Sequence, residues 1–308
     1  MSTDAEYLNP PRPSRSLNGR VAIVTGAGSQ ASGIGNGRAA AILLAEAGAH
    51  VVCSDIDLEL AAATVSMISQ EFGLGKAVAV KADVTKEEDC KYTVDIAITT
   101  FGRLDILVNN VGIGGAPGSA VDVDMVQWAK GLEINVTSMV LMVKYAVPAM
   151  EKNEPGTIYG RGSIVNIASI CGLIGGTPGL LYSTSKGAVV NMTRSIAAHH
   201  APMGIRVNAV CPGEWNSNAN DPCFILRFSE IGLLYTPMLY GQGMPNEIRE
   251  IRRKTSLLQT EGNGWDCGTA VRFLASEEAR WMTGVIMPVD AGTTASLLGA
   301  DKIFTTLH

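Results

Sequence analysis

The sequence predicts an α/β fold, a single domain built on a doubly wound parallel sheet with helices on both faces. From Arg20 onward, short apolar runs alternate with longer helix-like segments, which is typical of consecutive βαβ units. A glycine-rich turn over residues 26–35 follows the first apolar run and precedes an alanine-rich segment. Because no repeat beyond the βα alternation and no low-complexity linker divides the chain, we expect one domain over residues 19–295.

The first strand is predicted over residues 21–25, and the alanine-rich helix over residues 38–47 ends at Gly48. Glycines between this strand and this helix let backbone N–H groups approach a pyrophosphate at the positive end of the helix. Later apolar runs predict the other strands, over residues 50–54, 77–82, 104–108, 163–168, 206–211 and 285–289. Helical segments separate them, including one over residues 187–198.

The composition is that of a globular enzyme. Hydrophobic residues make up 46% of the 308 residues and charged residues 17%, so the chain can bury a large core and is not of the disordered class. The net charge of −5 at pH 7 gives no electrostatic basis for binding nucleic acid or an anionic membrane. No metal site is predicted, because His199 and His200 have no carboxylate or cysteine at ligand spacing.

Several features favour a cytoplasmic protein. The six cysteines have no paired spacing, which is typical of reduced, buried thiols. Residues 1–18 are polar and contain three prolines, so they are interpreted as a flexible tail rather than a signal peptide, and residues 296–308 as a second tail. No uninterrupted apolar run reaches the roughly 18 residues that a membrane span needs.

Two acidic residues, Asp55 and Asp57, follow the second predicted strand, about twenty residues beyond the glycines. A carboxylate at this distance accepts a hydrogen bond from a ribose 2′-hydroxyl and repels a 2′-phosphate. No Arg or Lys lies beside Asp55 or between residues 25 and 37, so the sequence favours NAD over NADP. The alternative is a solvated acidic turn without a ligand.

The stretch Tyr-Ser-Thr-Ser-Lys places Tyr182 and Lys186 one turn apart on the same face of a predicted helix. A free tyrosine titrates near pH 10, so it is a poor base at neutral pH. A fixed positive charge nearby favours the phenolate and lowers the pKa of the tyrosine. Tyr182 is therefore a candidate proton carrier, although this spacing also occurs on ordinary exposed helix faces.

Further motifs follow one another along the chain: Thr25–Gly26 with Gly33–Ile34–Gly35, Asp83–Val84, Asn109–Asn110–Val111–Gly112, Asn135, Ser169, Tyr182 with Lys186, Pro212–Gly213, Thr283–Gly284 and Val289–Asp290–Ala291–Gly292. In this order they resemble the short-chain dehydrogenase/reductase family, over residues 18 to 294. The resemblance implies a Rossmann fold and hydride transfer between an alcohol carbon and a nicotinamide cofactor.

The resemblance also implies roles for individual residues. Tyr182 would be the general base in oxidation and the general acid in reduction, and Ser169 would hydrogen-bond the substrate oxygen. Lys186 would hold the nicotinamide ribose and lower the pKa of Tyr182, and Asn135 would anchor a water leading from Lys186 to solvent, unless it is purely structural. The implied cofactor contacts are Gly26, Gly33, Ile34, Gly35, Asp55, Asp83, Val84, Asn110, Gly112, Tyr182, Lys186, Pro212, Gly213 and Thr236.

Two departures from the family pattern concern loops. Six residues separate Gly26 from Gly33, where the family usually has three. In addition, the family places a threonine four positions after the Gly of Pro–Gly, whereas position 217 is Ser and the better match is Thr236. Removing residues 214–232 would restore the spacing, so they are interpreted as an insert in a substrate loop over residues 213–265. The insert is either a lid over the substrate or translated intron sequence.

These observations predict an NAD-dependent oxidoreductase that interconverts a secondary alcohol and a ketone. The segment 233–244, rich in Leu, Tyr and Met, suggests a hydrophobic or cyclic small-molecule substrate. From the resemblance we expect a homo-oligomer, a tetramer or dimer built through the helices that carry Asn135 and Lys186. The alternatives are an NADPH-dependent ketone reductase and, from another class, a non-catalytic dinucleotide-binding or scaffold protein.

Overall fold

Seven parallel strands form the central sheet. The computed structural model describes residues 11–29, 33–155, 160–175, 179–213, 234–237 and 245–296. The strands of the sheet are β1 (Val21–Thr25), β2 (His50–Asp55), β3 (Ala77–Lys81), β4 (Ile106–Asn109), β5 (Gly162–Ile167), β6 (Ile205–Pro212) and β9 (Ile286–Val289). Across the sheet they lie in the order β3-β2-β1-β4-β5-β6-β9. The strand order reverses between β1 and β4, as in a doubly wound sheet. The predicted fold class is therefore confirmed.

Helices cover both faces of the sheet: α1 (Asn36–Glu46), α2 (Leu58–Phe72), α3 (Glu87–Phe101), α4 (Met125–Leu132), α5 (Ser138–Met150), α6 (Leu180–His200), α7 (Asn246–Thr255) and α8 (Gly264–Ala275). Successive residues of β1 pack in different cores, because side chains alternate across a strand. Ala22 and Val24 belong to the core that α1 and α8 cover, and Val21 and Ile23 to the core that α3 and α5 cover. The nearly continuous apolar runs of the sequence thus follow from burial on both faces.

A second, two-stranded sheet lies in the C-terminal part of the chain. Here β7 (Leu234–Tyr235) pairs in parallel with β8 (Gly262–Asn263), which leads directly into α8. The side chain of Asn263 caps α8 and forms a capping box with Asp266. The pairing brings residues 234–236 next to the start of α8.

Some predicted segments lie outside the described residues. These are the insert over residues 214–232, residues 233 and 238–244 of the predicted apolar lining, most of the N-terminal tail and all but one residue of the C-terminal tail. Among the described residues, every helix is too short or too polar to span a lipid bilayer.

Candidate active site

The predicted site residues gather at the carboxyl ends of the parallel strands. Gly26 follows β1, Asp55 ends β2, Asn110 follows β4, Ser169 follows β5 and Pro212 ends β6. Because all these strands run in the same direction, their carboxyl ends form one edge of the sheet, where open α/β sheets bind ligands. Residues that are more than 150 positions apart in the sequence are thus brought to one edge.

Tyr182 lies in the first turn of α6, and Lys186 follows one turn later. The Lys186 side chain is buried, with 3% of its residue surface exposed. Its Nζ donates a hydrogen bond to the carbonyl oxygen of Ile167 at 2.9 Å and lies 5.8 Å from the ring centroid of Tyr182. The ammonium is therefore anchored to the end of β5 and positioned next to the tyrosine ring.

Asn135 is fully buried in a π-helical turn, Glu133–Thr137, that joins α4 to α5. The sequence predicts an ordinary helix here, but the wider turn is of the kind often found at functional sites. The amide accepts the N–H of Ile113 at 2.8 Å, and its Nδ2 donates to the Ile113 carbonyl and to Ser185 Oγ at 3.0 Å. Ser185 in turn donates to the Tyr182 carbonyl at 2.8 Å. Sequence reasoning assigned Ser185 no role.

Ser169 begins a short 3₁₀ turn, Ile170–Gly172, and 1% of its surface is exposed. Its Oγ accepts the N–H of Cys171 at 3.1 Å. A Cβ added at Gly172 would lie 2.5 Å from the carbonyl carbon of Lys186, so this turn packs directly on the α6 backbone. The contact places Ser169 beside the part of α6 that carries Lys186.

Leu181 fixes the beginning of α6. It is fully buried, and its Cδ2 fills a slot formed by two glycines. A Cβ added at Gly115 would lie 2.3 Å from Leu181 Cδ2, and one added at Gly131 would lie 2.2 Å from it. Since Leu181 precedes Tyr182 in the same helical turn, this slot also sets the position of Tyr182. Nothing in the sequence pattern indicates the slot, because it depends on contacts between distant segments.

Gly37, two residues beyond the last predicted cofactor contact of the glycine-rich turn, packs closely against Gly26. A Cβ added at Gly37 would lie 2.1 Å from the carbonyl oxygen of Gly26 and 2.5 Å from Asn110 Nδ2. Gly35 is the N-cap of α1, and Gly26 has a φ of +62°, which favours glycine. Sequence reasoning missed Gly37, although it repeats the Gly-x-Gly spacing two positions after Gly35.

Asn110 binds the protein's own turn through its side chain. Its Nδ2 donates to the carbonyl oxygens of Thr25 and Gly26 at 3.1 and 2.9 Å, and its N–H donates to Thr25 Oγ1. Gly112 lies two residues further on, and a Cβ there would come within 3.0 Å of Lys186 Nζ. The segment after β4 therefore connects the glycine-rich turn to the lysine.

Asp55 contacts the same turn. Its Oδ2 accepts the N–H of Gly28 at 2.9 Å, and its Oδ1 accepts the N–H of Asp57 at 3.1 Å. Each carboxylate oxygen has a second lone pair, so Asp55 can accept a further hydrogen bond from a ligand. The guanidinium of Arg38 attracts this carboxylate electrostatically; the sequence argument considered only residues adjacent to Asp55 and the turn up to residue 37.

Asp83 and Val84 follow β3. Partial burial opposes ionisation of Asp83, but hydrogen bonds from Thr85, together with Lys130 and Lys86, outweigh it and lower the pKa of this carboxyl. Thr85 donates through its N–H at 3.0 Å and its hydroxyl at 2.7 Å. Val84 is buried in the hydrophobic core. The carboxylate thus remains ionised at the rim of the sheet edge.

The backbone carbonyls of Gly33 and Ile34 both contact other parts of the protein. The Gly33 carbonyl accepts a hydrogen bond from Arg38 Nη1 at 2.7 Å. A Cβ added at Gly264, the first residue of α8, would lie 2.6 Å from the Ile34 carbonyl oxygen. The C-terminal part of the chain therefore packs against the glycine-rich turn.

The remaining predicted cofactor contacts, Pro212, Gly213 and Thr236, lie at the end of β6 and directly after β7. Pro212 pairs with Val289 of β9, and Gly213 donates its N–H to the Val289 carbonyl at 3.0 Å. Thr236 follows β7 and is 1% exposed. Its Oγ1 is buried and has no hydrogen-bond partner among the described residues. A buried hydroxyl in this state fits a site completed by a bound polar group.

Comparison with known proteins agrees with this geometry. A family model described as "short chain dehydrogenase" matches residues 20–224, and one described as "Enoyl-(Acyl carrier protein) reductase" matches residues 230–294. An uncharacterized oxidoreductase of Thermotoga maritima is 38% identical over 282 residues, covering 91% of this chain and 99% of that protein. The cyclohexanol dehydrogenase of Acinetobacter sp. (strain SE19) is 34% identical, covering 92% and 98%. A structure of 7α-hydroxysteroid dehydrogenase complexed with NADH and 7-oxo glycochenodeoxycholic acid has a TM-score of 0.75 at 32% identity, covering 90% and 95%.

The chain belongs to the short-chain dehydrogenase/reductase family. It is an oxidoreductase of the alcohol dehydrogenase type that acts on a small molecule with NAD(P). The family prediction is confirmed, and the non-catalytic alternative does not agree with these relatives.

The described residues fit a nicotinamide dinucleotide. Gly35, the N-cap of α1, makes no side-chain cap, and the first turn of α1 carries no acidic residue, so the positive end of the helix dipole there favours a pyrophosphate. Asp55 retains acceptor capacity at the end of β2. The buried Thr236 hydroxyl lacks a partner among the described residues, and a carboxamide can both donate to it and accept from it.

Proposed function

We propose that this protein is an NAD-dependent dehydrogenase that interconverts a secondary alcohol and its ketone on a hydrophobic or cyclic small molecule. The observation that carries the proposal is the convergence of Ser169, Tyr182 and Lys186 at the sheet edge that also holds the glycine-rich turn. Lys186 Nζ lies 5.8 Å from the Tyr182 ring centroid, and the turn after Ser169 packs on the Lys186 backbone.

In the proposed mechanism, Tyr182 takes the proton of the substrate hydroxyl during oxidation and returns it during reduction. The buried ammonium of Lys186 favours the phenolate that accepts this proton. Ser169 hydrogen-bonds the substrate oxygen as charge develops on it. NAD supplies the hydride acceptor when it is bound.

The buried network around Asn135 supports the proton transfer. Asn135 is held by both polar groups of the Ile113 backbone and by Ser185. Since Ser185 also bonds the Tyr182 carbonyl, the network fixes the helical turn between Tyr182 and Lys186. We assign Asn135 the further role of anchoring a water through which Lys186 exchanges the proton with solvent.

The preference for NAD over NADP rests on Asp55. Its carboxylate ends β2 next to Gly28 of the turn, so a 2′-phosphate placed here would meet a negative charge. Arg38 is the arginine or lysine nearest to Asp55 in the sequence. It donates hydrogen bonds to Ser29, Gly33 and Thr64. Its guanidinium is therefore already engaged with the protein.

The proposed substrate class is supported by the names of similar proteins and by exposed apolar side chains near the proposed catalytic residues. One relative is named a cyclohexanol dehydrogenase, and a structural neighbour holds a steroid derivative according to its description. Four large hydrophobic residues are 37–40% exposed in segments next to the proposed catalytic residues: Ile113, Leu173, Ile174 and Leu180. Exposed apolar side chains in these positions suit a ring of carbon atoms.

The test is cofactor binding followed by turnover. Fluorescence titration of the purified chain with NADH and with NADPH should give the tighter Kd for NADH. Oxidation of a panel of cyclic alcohols with NAD should then be detected, and Tyr182→Phe should lower kcat at least about a hundredfold. The same change at Tyr92, an exposed tyrosine on α3, is the matched control. Tighter binding of NADPH, or near-normal turnover by Tyr182→Phe, would contradict the proposal.

A further inference from the structure

Arg38 is a buried arginine in the first turn of α1, with 2% of its surface exposed. It is the largest fully buried side chain in the described part of the chain. Burial lowers the pKa of the guanidinium, and Asp55 and Cys53 oppose this effect. Arginine is rarely buried unless its donors are hydrogen-bonded. The acceptors around Arg38 therefore show which segments of the chain it holds together.

The guanidinium lies beneath the glycine-rich turn and contacts both of its described flanks. Nη1 donates to the Gly33 carbonyl at 2.7 Å, and Nη2 donates to the Ser29 carbonyl at 3.1 Å. Nε donates to Thr64 Oγ1 of α2 at 3.0 Å. The rigid fork of donors thus fixes the two flanks relative to each other.

Thr64 extends this arrangement to the beginning of the turn. Its hydroxyl accepts from Arg38 and donates to the Ala27 carbonyl at 2.8 Å. Thr64 is fully buried, so this hydroxyl has no access to water that could replace either contact. Three carbonyls of the turn are therefore held by one arginine and one threonine.

These contacts orient the backbone for a ligand. In a trans peptide the C=O and the following N–H point in opposite directions. With the Gly33 carbonyl turned toward the buried guanidinium, the N–H of Ile34 points away from Arg38. That group lies just before the N-cap of α1, where backbone N–H groups bind phosphate.

We propose that Arg38, assisted by Thr64, is a positioning residue that fixes the two described flanks of the glycine-rich turn, residues 26–29 and 33–35, in the positions that bind a pyrophosphate. The turn has six residues between Gly26 and Gly33, three more than the usual family pattern, and Arg38 joins its flanks from below. The inference rests on the proposed dinucleotide-dependent function. Arg38 acts on cofactor affinity through Ser29 and Gly33 and has no part in the proton transfer at Tyr182.

The experiment compares Arg38→Lys, which keeps a charge but loses the fork, with the pair Thr64→Val and Thr64→Ser. Valine has nearly the shape of threonine without its hydroxyl, whereas serine keeps the hydroxyl and is the matched control. For each variant we measure the Kd of NADH by fluorescence and of ADP-ribose by calorimetry, together with KM for NAD, kcat and Tm. ADP-ribose reports on the turn independently of catalysis.

Arg38→Lys is expected to raise both Kd values and KM for NAD about tenfold, with kcat at saturating NAD within about twofold of the wild type. Thr64→Val should raise the Kd values of NADH and ADP-ribose and the KM for NAD several-fold. Thr64→Ser should bind both ligands with the wild-type Kd values. Equal Kd values in wild type, folded Arg38→Lys and folded Thr64→Val would overturn the inference while leaving the proposed function intact. If Arg38→Lys does not fold, the Thr64 pair decides by the same criterion. A wild-type chain that binds neither NADH nor ADP-ribose would overturn the proposed function and, with it, this inference.

Discussion

At the residue scale, the Asp55 carboxylate accepts hydrogen bonds from the protein's own backbone, in addition to its proposed role toward the ribose. It accepts the N–H of Gly28, and a Cβ added at Gly28 would lie 2.7 Å from Asp55 Oδ2. A substitution chosen to change the cofactor therefore also removes a contact that shapes the turn. We expect a change of cofactor preference here to cost affinity for both dinucleotides.

Asp55→Asn tests this double role. Loss of the negative charge should shift the ratio of Kd values toward NADPH, because the 2′-phosphate is no longer repelled. The Kd of NADH should rise about tenfold, since a charged acceptor is lost from both the ribose and the turn. Fluorescence titration with the two cofactors measures both effects.

Asp57→Asn is the control for this experiment. Asp57 caps α2 by accepting the N–H of Glu59 at 2.9 Å, and no described contact joins its side chain to the turn. It should leave the ratio of Kd values unchanged. An unaltered ratio in Asp55→Asn would mean that the carboxylate does not face the ribose.

At the element scale, the position of α6 depends on the slot that holds Leu181. Gly131→Ala would place a methyl group 2.2 Å from Leu181 Cδ2, and Leu181 is fully buried. Overpacking of this kind typically costs about 1–3 kcal/mol of unfolding free energy. Because the displaced Leu181 precedes Tyr182, we expect kcat to fall more than KM for NAD rises.

Gly187→Ala is the matched control, since Gly187 lies in α6 directly after Lys186. The nearest atom to a Cβ there is the Gly172 carbonyl oxygen at 3.6 Å, an ordinary contact. It should retain kcat, and Tm should not fall, because alanine favours a helix interior by about 1 kcal/mol over glycine. Thermal unfolding and steady-state kinetics on both variants make the comparison. Normal kcat in a folded Gly131→Ala protein would contradict the positioning role of the slot.

The helices and strands also show which features the sequence could predict and which it could not. The seven strands of the central sheet agree with the prediction within two residues at each end, because each contains an apolar run near polar turns. The two-residue strands β7 and β8 were not predicted. Tyr182 and Lys186 could be paired because their spacing is local to one helix. The slot for Leu181 could not be predicted, because Gly115, Gly131 and Leu181 come from three separate segments. The π-helical turn at Asn135 was also missed, since helix periodicity does not distinguish it from an α-helix.

The glycine-rich turn illustrates the same limit. Its glycines are visible in the sequence, but which of them packs against Gly26 depends on where α1 begins. Since α1 begins at Asn36, the glycine in contact is Gly37. Arg38 looks like an ordinary charged residue of a helix until α2 brings Thr64 beneath the turn.

At the scale of the whole molecule, α5 exposes apolar surface, and the family resemblance predicts that copies of this chain associate through the helices that carry Asn135 and Lys186. Val140 is 46% exposed on this helix. If copies of the chain associate through α5 and α6, Val140→Asp should place a charge in the interface and shift the assembly toward smaller species. Light scattering after gel filtration measures this as a fall from a multiple of 32.4 kDa.

Val121→Asp is the control for the association experiment. Val121 is 96% exposed and lies in the loop before α4, so it belongs to neither α5 nor α6. It should leave the molar mass unchanged. A wild-type protein of 32.4 kDa in solution would contradict the expected homo-oligomer.

The place of β9 in the sheet has a consequence for synthesis of the chain. It is the last strand in chain order among the described residues, and it pairs with β6. Gly213, which follows β6, donates its N–H to the carbonyl of Val289 in β9. While the nascent chain emerges from the ribosome, the edge of β6 remains unpaired until β9 follows, and such edges are prone to aggregation. The glycine-rich turn can form early, but its contact with Gly264 arrives late. A dinucleotide bound as proposed, to the glycine-rich turn and to Thr236, would therefore stabilise the finished protein much more than any shorter nascent form.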